Sequence, residues 1–167
     1  MAPIRTISTC LTALLAALIL VSGPARSEPV RLVPPDAWEV IHTARAFGPA
    51  EVGQDAMKDP LITGTIDGLA YEIAFYGCWL GRKCESVLFH AQLARKDWKP
   101  QAKLLKEWNR EKLVGRAWID DKTTAVLDHA VAMGPGLPEE TLKLVFASWR
   151  TALAEYAEHL DFPRETR

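Results

Sequence analysis

The sequence predicts an α+β domain in which an antiparallel sheet packs against flanking helices. Three observations support this class: an Asp-Gly turn between alternating apolar stretches, a third alternating stretch that extends the same apolar face, and three segments with helical 3–4 spacing. The predicted order is helix, three or four antiparallel strands, helix, two strands, helix. Such an order is typical of domains whose helices pack on a sheet.

The first predicted helix covers the segment PPDAWEVIHTARAFG. Asp36 can cap its amino end, and Glu39 stands three residues later, as in a capping box. Gly48 and Pro49 predict its end. The apolar residues that share one face are Ala37, Val40, Ile41, Ala44 and Phe47.

A β-hairpin is predicted around Asp67-Gly68, because a type I′ turn needs positive φ at both central residues. With these two residues as the loop, the apolar positions of both strands fall on one face. The resulting pairs are Ile66 with Leu69, Gly64 with Tyr71, and Ile62 with Ile73.

A third strand is predicted in CESVLFHAQLA, in a register that places Cys78 opposite Cys84. The apolar face of the hairpin then continues without a slip. Glu72 would oppose His90 on the other face. The apolar pairs are Phe75 with Val87, Ile73 with Phe89, Tyr71 with Ala91, and Leu69 with Leu93.

The second half of the chain predicts two further helices and a second hairpin. The segment PQAKLLKEWNREK is a helix with Leu104, Leu105 and Trp108 inward. LVGRAWID and TAVLDHAVAM form strands around a turn near Asp121-Lys122, where loops of two and three residues both give acceptable faces.

The last predicted helix runs from Pro138, which suits the first helical position, to about Leu160. Glu139 and Glu140 suit the positive end of its dipole. Pro163 stops it. Its apolar stripe consists of Leu142, Val145, Phe146, Trp149, Leu153, Tyr156 and Leu160.

The beginning of the chain has the layout of a secretory signal peptide. Arg5 precedes an apolar run from about Cys10 to Val21, and Ala25-Arg26-Ser27 offers small residues at the −3 and −1 positions. The alternative, a membrane anchor, is weaker because a spanning helix needs about 20 apolar residues. We expect cleavage after Ser27 and a periplasmic or secreted protein.

Cleavage leaves residues 28–167 as one domain, and the length of 140 residues suits a single core. Cleavage removes Arg5 and Arg26 but no acidic residue. The mature chain then has 18 of the 20 basic residues and all 21 acidic residues, so its net charge is near −3. This balance argues against nucleic-acid binding, which favours a strongly basic surface. No second apolar stretch is long enough to span a membrane.

Cys78 and Cys84 admit three interpretations: a structural disulfide, an exchangeable disulfide and part of a metal site. Five residues separate them, whereas thioredoxin-type pairs have two. His90 lies six strand residues beyond Cys84, roughly 20 Å at ~3.3 Å per residue, too far to share a zinc ion. A structural disulfide is favoured, because exported proteins form disulfides.

No enzyme motif emerges from the sequence. Ser86 and His90 share a face but stand four strand residues apart, and Asp128 and His129 point to opposite faces. Asp120-Asp121 suits a turn. We therefore expect no catalytic residues, no metal and no cofactor.

Three segments resemble the YbjN-domain family, which is labelled as regulators of bacterial sensory transduction. They are FYGCWLGRKCESVLF, EWNREKLVGRAWID and the last helix with its Trp, and the likeness covers about residues 36–162. The chain departs from the family pattern at Ala130, where a polar residue is expected. The matching positions are Tyr76, Gly77, Cys78, Cys84, Ser86, Trp108, Asn109, Gly115, Arg116, Ala117, Trp118 and Asp120.

The resemblance implies a fold similar to that of type III secretion chaperones and implies no catalytic residues. The segment EWNREKLVGRAW has two interpretations. In the structural one, Trp108 fills the core, Asn109 helps to end a helix and Gly115 eases strand packing. In the functional one, Asn109, Arg116 and Trp118 line a groove for a peptide or ligand. Arg and Trp are favoured interface anchors.

The leading functional hypothesis is a non-enzymatic exported protein that binds a protein or peptide partner, with a homodimer compatible with that role. An enzyme is the rival, and a cleft that gathers His90, Glu72 and Arg116 would favour it. A third hypothesis is a structural component of the cell envelope. An apolar groove or a self-complementary sheet face would favour binding.

Overall fold

In the described part of the chain, a six-stranded antiparallel sheet carries two helices on one face and a third helix at one edge. The computed structural model describes residues 29–80, 82–120 and 124–162. The predicted signal peptide, Gly81 and Asp121 lie outside them. The helices are α1 (Ala37–Arg45), α2 (Ala102–Glu111) and α3 (Glu139–His159), and the strands are β1 (Leu32–Val33), β2 (Ala50–Gln54), β3 (Pro60–Ile66), β4 (Leu69–Tyr76), β5 (Ser86–Leu93), β6 (Arg116–Ile119), β7 (Ala125–Ala132) and β8 (Leu137–Pro138).

The strands of the large sheet are ordered β2-β3-β4-β5-β7-β6. The first four follow the chain, but β7 lies beside β5 and leaves β6 at the edge. Strands β1 and β8 form a separate small sheet that ties the amino-terminal segment to the start of α3. The α+β class predicted from the sequence is confirmed, and β2 adds a fourth consecutive strand to the three identified by pattern.

The first hairpin has the predicted register. Ile66 pairs with Leu69 and Ile62 with Ile73. Both turn residues have positive φ, 49° at Asp67 and 81° at Gly68, as a type I′ turn requires. The side chain of Arg150 on α3 binds both carboxylate oxygens of Asp67, at 2.6 and 2.9 Å. This pair anchors the turn to the helix layer.

Gly64 interrupts an otherwise β-favouring strand for a packing reason. Its cross-strand partner is Tyr71, and a Cβ atom at position 64 would lie 2.8 Å from the Tyr71 ring. The absence of a side chain lets the buried Tyr71 ring approach the backbone of β3 closely.

The third strand also has the predicted register. Phe89 pairs with Ile73, and both are fully buried. His90 pairs with Glu72, and neither lies in the buried core. The expectation that Phe89 and Glu72 occupy opposite faces is therefore confirmed.

Helix α1 begins as predicted at Asp36, whose carboxylate accepts a hydrogen bond from the Trp38 amide at 2.9 Å. Glu39 does not complete a capping box. Its carboxylate instead binds Arg31, 3.3 Å away. Asp36 therefore caps the helix, but the second hydrogen bond of a capping box, which Glu39 would accept from the Asp36 amide, is not formed.

The core lies between the sheet and the helices. Phe89 is its centre, with ring centroids 5.0 Å from Phe146 and 5.6 Å from Trp149 on α3. The predicted stripe of α3 is buried except for Val145, which is half-buried. Pro138 precedes the helix as its cap residue rather than occupying its first position.

The second hairpin closes over three residues. The Asp120 amide donates to the Thr124 carbonyl, and the Thr124 amide donates to the Asp120 carboxylate at 2.8 Å. Of the two loop lengths open from the sequence, the structure therefore has the longer. The resulting register pairs Arg116 with Asp128 and Ala117 with Leu127.

The opposite side of the sheet, which we call the open face, carries the alternate residues of each strand. Helices α1 and α3 contact the sheet from the buried side. The open face therefore lies away from the core, and it includes Glu72, Leu88, His90, Asp128 and Arg116.

Candidate functional site

The two cysteines lie just beyond the last pair of β4 and β5. Cys78 and Cys84 are paired through their sulfur atoms, and their Cα atoms are 3.8 Å apart. The loop that they enclose turns at Leu80, whose φ is 52°, and it exposes Trp79 and Leu80 to solvent. Arg82 connects the loop to α1 through Asp36, at 3.4 Å.

Asn109 covers the free edge of the sheet. Its side-chain amide donates to the Ala117 carbonyl and its carbonyl oxygen accepts from the Ala117 amide, both at 2.8 Å. The side chain thus replaces a neighbouring strand at β6. Helix α2 continues two residues beyond Asn109, to Glu111.

Trp108 and Gly115 hold the connection between α2 and β6. The Trp108 indole donates to the Gly115 carbonyl at 3.1 Å, and Gly115 has a φ of 82°. A Cβ at this position would lie 2.7 Å from the Leu127 side chain. Only glycine combines this backbone conformation with this close contact.

Arg116 and Trp118 project from β6 onto the open face. Trp118 donates its indole N–H to the Asp128 carboxylate at 2.6 Å, and the other oxygen of Asp128 lies 2.6 Å from His90 Nδ1. Arg116 is exposed and forms no ion pair with any described residue. Asn109 and Arg116 line one pocket of about 490 Å³ at this edge of the sheet, and Trp118 is not among its lining residues.

A row of polar residues crosses the open face at one level: Glu51, Thr63, Glu72, His90, Asp128 and Arg116. The row includes all three residues of the enzyme hypothesis. However, Glu72 and Arg116 are three strand spacings apart, about 14 Å at ~4.8 Å per strand. The three residues therefore lie in a row across the open face of the sheet.

His129 lies on the buried face of the sheet and Asp128 on the open face, so these two neighbours point to opposite sides, as predicted. Its ring centroid is 6.4 Å from that of Phe89. Burial lowers the pKa of His129, because the charged imidazolium loses hydration. A neutral ring at this position suits packing against an aromatic neighbour.

A groove of about 460 Å³ runs between the end of α2 and the outer side of α3. We call it the α2–α3 groove. The ion pair between Lys112 and Glu155, 2.8 Å long, borders it, and the Lys112 ammonium lies 5.5 Å from the Trp108 ring centre. The residues that give the groove its apolar character are Trp108, Leu113, Val114, Leu144, Ala147 and Ala152.

Two leucines of this groove are exposed to an unusual degree. Leu113 is 102% exposed and Leu144 is 68% exposed. Sequence reasoning did not identify either one. The exposure of Leu144 could have been predicted from the sequence, because this residue lies off the predicted apolar stripe of α3. The exposure of Leu113 could not have been predicted in this way, because it depends on how the α2–β6 connection lies against α3.

The described residues include neither a candidate metal cluster nor a candidate membrane-spanning helix. Within residues 29–80, 82–120 and 124–162, no group of three or more His, Cys, Asp or Glu side chains could hold a metal ion. None of the helices in the same part of the chain is long and apolar enough to cross a bilayer.

Comparison with known proteins assigns the chain to a family. None of the curated proteins compared with it is significantly similar. The family model of YbjN, described as "Putative bacterial sensory transduction regulator", matches residues 38–162. This match covers most of the chain, from the first helix through the end of α3. The protein therefore belongs to the YbjN family.

Proposed function

We propose that this YbjN-family chain is an exported, non-catalytic protein that binds an apolar segment of a protein or peptide partner. The observation that carries the proposal is the α2–α3 groove with its two exposed leucines. Ligand pockets commonly measure about 300–1,000 Å³ and have mainly apolar walls. The groove satisfies both conditions.

The leucines supply the energetic reason for binding. Burial of a leucine side chain stabilises a complex by about 1.5–3 kcal/mol relative to exposure. Leu113 and Leu144 flank the groove, so one apolar side chain of a partner could cover parts of both. The family description as a regulator agrees with a role exercised through a partner.

Charge at the border favours a peptide over a purely apolar small molecule. Glu111, Lys112 and Glu155 lie along the same groove as the leucines. Both sides of an amphipathic segment would thus find partners: apolar side chains on the leucines and polar groups at the border.

Export is the second part of the proposal. The signal-peptide pattern of residues 1–27 supports it, and the pairing of Cys78 with Cys84 agrees with an oxidising compartment. The amino terminus of the purified protein, determined by mass spectrometry, should lie at or near Glu28. An intact Met1 on a protein recovered from the cytoplasm would contradict export.

Peptide selection tests the groove directly. A random peptide library is selected on the immobilised mature protein, and the enriched peptide is titrated by calorimetry. Leu113→Glu and Leu144→Glu should each reduce its affinity by roughly tenfold or more, because each removes apolar contact and adds a charge. Circular dichroism should show an unchanged fold, since both side chains are exposed.

Met57→Glu is the matched control, because Met57 is 84% exposed and does not line the groove. This variant should bind the peptide as the natural protein does. Failure to enrich any peptide, or equal binding by all three variants, would contradict the proposed site.

A further inference from the structure

The loop between β4 and β5 exposes two large apolar side chains at one end of the sheet. Trp79 is 67% exposed and Leu80 is 80% exposed. Both lie inside the ring that Cys78 and Cys84 close. We call residues 79–80 and 82–83 the Trp79 loop. Neither apolar side chain belongs to the hydrophobic core, so burial on folding does not explain their presence.

The backbone conformation of Leu80 is unfavourable for a leucine. The Trp79 amide donates to the Arg82 carbonyl at 2.8 Å, and the Arg82 amide donates to the Trp79 carbonyl at 3.0 Å. This tight turn gives Leu80 a φ of 52°, in the left-handed region that Gly and Asn adopt most readily. Stability alone would favour Asn or Gly at this position, whereas a role in binding gives a reason for leucine.

Basic side chains accompany the apolar pair. The ring between the two cysteines contains Arg82 and Lys83 and no acidic residue. The Lys83 ammonium lies 6.0 Å from the centre of the Trp79 ring, at the outer limit of a cation–π contact. The loop thus combines an exposed aromatic residue, an exposed leucine and two exposed cations.

Further apolar side chains are exposed at the same end of the sheet. Strands β2 to β5 are consecutive antiparallel neighbours, so the β2–β3 and β4–β5 connections lie at one end and the Asp67-Gly68 turn lies at the other. The β2–β3 connection exposes Met57, and Tyr76 is exposed where β4 ends. Exposed apolar groups therefore gather around the Trp79 loop.

The acidic residues of this end have partners or lie behind the loop tip. Asp36 binds Arg82 at 3.4 Å. Asp55 accepts two amide hydrogen bonds within its own turn, at 2.8 and 2.9 Å. Asp59 and Glu85 directly precede β3 and β5, so they lie at the base of their connections. The cations of the loop are therefore closer to its tip than these carboxylates are.

We propose that the Trp79 loop inserts into the surface of a lipid bilayer that contains anionic lipids. Trp and Tyr favour the membrane–water interface, where the ring contacts apolar chains and its polar atom stays hydrated. Arg82 and Lys83 then meet lipid phosphates, and each basic residue near an anionic surface adds to the attraction. Binding at a bilayer surface depends on this combination of apolar insertion and charge.

The shape of this end favours a bilayer over a peptide. Neither Trp79 nor Leu80 lines the α2–α3 groove or the pocket that Asn109 and Arg116 line. Side chains that project from a tight turn can enter a continuous apolar layer, whereas a peptide is usually held in a groove or at a sheet edge. The paired cysteines restrict the loop, so little conformational freedom is lost on insertion. Membrane contact therefore uses a surface separate from that of partner binding.

Sedimentation with lipid vesicles tests this contact on the mature protein. Vesicles of phosphatidylcholine mixed with phosphatidylglycerol should bind the natural protein, and vesicles of phosphatidylcholine alone should bind it more weakly. Leu80→Asn should reduce the partition coefficient roughly tenfold or more, because it removes the most exposed apolar side chain of the loop. Asn suits the turn and adds no charge, so circular dichroism should show an unchanged fold.

Leu144→Asn is the matched control. Leu144 is also exposed, but it lies on α3 in the α2–α3 groove. This variant should bind vesicles like the natural protein. Lys83→Glu should weaken binding to the anionic vesicles, whereas Lys96→Glu, at an exposed position beyond the opposite end of β5, should not.

The fluorescence of Trp79 reports insertion directly. Lipids with brominated acyl chains quench indole rings that enter the bilayer. The natural protein should therefore lose part of its emission on binding. Trp79→Phe should lose most of this quenching while it keeps most of the binding, because phenylalanine is also apolar.

Three results would overturn the proposal. A natural protein that binds neither kind of vesicle has no such contact. Equal vesicle binding by Leu80→Asn and the natural protein would show that the loop does not insert. Unchanged vesicle binding by Leu80→Asn, together with weaker binding of the selected peptide, would assign the loop to a protein partner instead.

Discussion

The two faces of the central sheet come from the same strands but have different physical roles. Phe89 and Leu88 are neighbours on β5 and point to opposite sides. Phe89 is fully buried between aromatic residues of α3, whereas Leu88 is half-buried on the open face. Hydrophobicity alone therefore does not identify the core residues of a strand. The core residues are those on the face that the helices cover.

The sharpest test of this difference is a pair of alanine variants on β5. Phe89→Ala should lower the free energy of unfolding by about 3–5 kcal/mol, through lost transfer energy and a cavity beside Phe146 and Trp149. Leu88→Ala should lower it by less than about 1 kcal/mol, since no helix packs on it. Urea unfolding at low protein concentration measures both. Equal losses would contradict the assignment of the two faces.

Removal of the link between Cys78 and Cys84 should have the next largest effect. The double variant Cys78→Ser, Cys84→Ser should fold but lose about 2 kcal/mol of stability, because the closed ring is short and restricts the unfolded chain only modestly. Thermal unfolding with and without reductant provides the measurement. A natural protein that melts at the same temperature in both conditions, or that has free thiols after export, would refute the bond.

The edge between the two faces offers a third test. Asn109→Ala removes two hydrogen bonds to Ala117 and should cost about 1–2 kcal/mol. Arg110→Ala is its control, since Arg110 contacts only the neighbouring Glu111 among the ion pairs of the described residues. That variant should change stability by less than about 0.5 kcal/mol. A similar loss in both variants would show that Asn109 does not hold β6.

The smallest expected effect concerns pH and the buried face. The pKa of His129 is lowered in the folded state, so the unfolded chain binds the proton more readily. Stability is therefore full above the unfolded pKa of about 6.5 and falls as the pH drops below it. His129→Gln should reduce the loss of stability between pH 7.5 and 5.5. A steeper loss in this variant would contradict the sign.

Much of the sheet could be predicted because its rules are local. The Asp67-Gly68 turn fixed the pairing of β3 with β4, and alternation then specified the facing residues of β5. Trp108 was likewise placed inward by helical spacing. Each of these inferences needs only residues that are close in sequence and the repeat of a strand or a helix.

The candidate site was predicted less well, because its residues depend on distant contacts. Asn109 and Arg116 line one pocket, whereas Trp118 turns to Asp128 on the open face. Leu113 was missed altogether. Its exposure follows from the packing of α2 against α3, which no local pattern encodes.

The sequence by itself determined the class of fold, the amino end of α1, the register of β3, β4 and β5, and the approach of Cys78 to Cys84. Alternation with period two and a turn that requires positive φ leave few other choices. Only the tertiary structure decided that β7 lies beside β5, which aligns Glu72, His90, Asp128 and Arg116 across the open face. The reason is physical: strand order depends on how the helices cover the sheet, and that depends on packing between segments far apart in the chain.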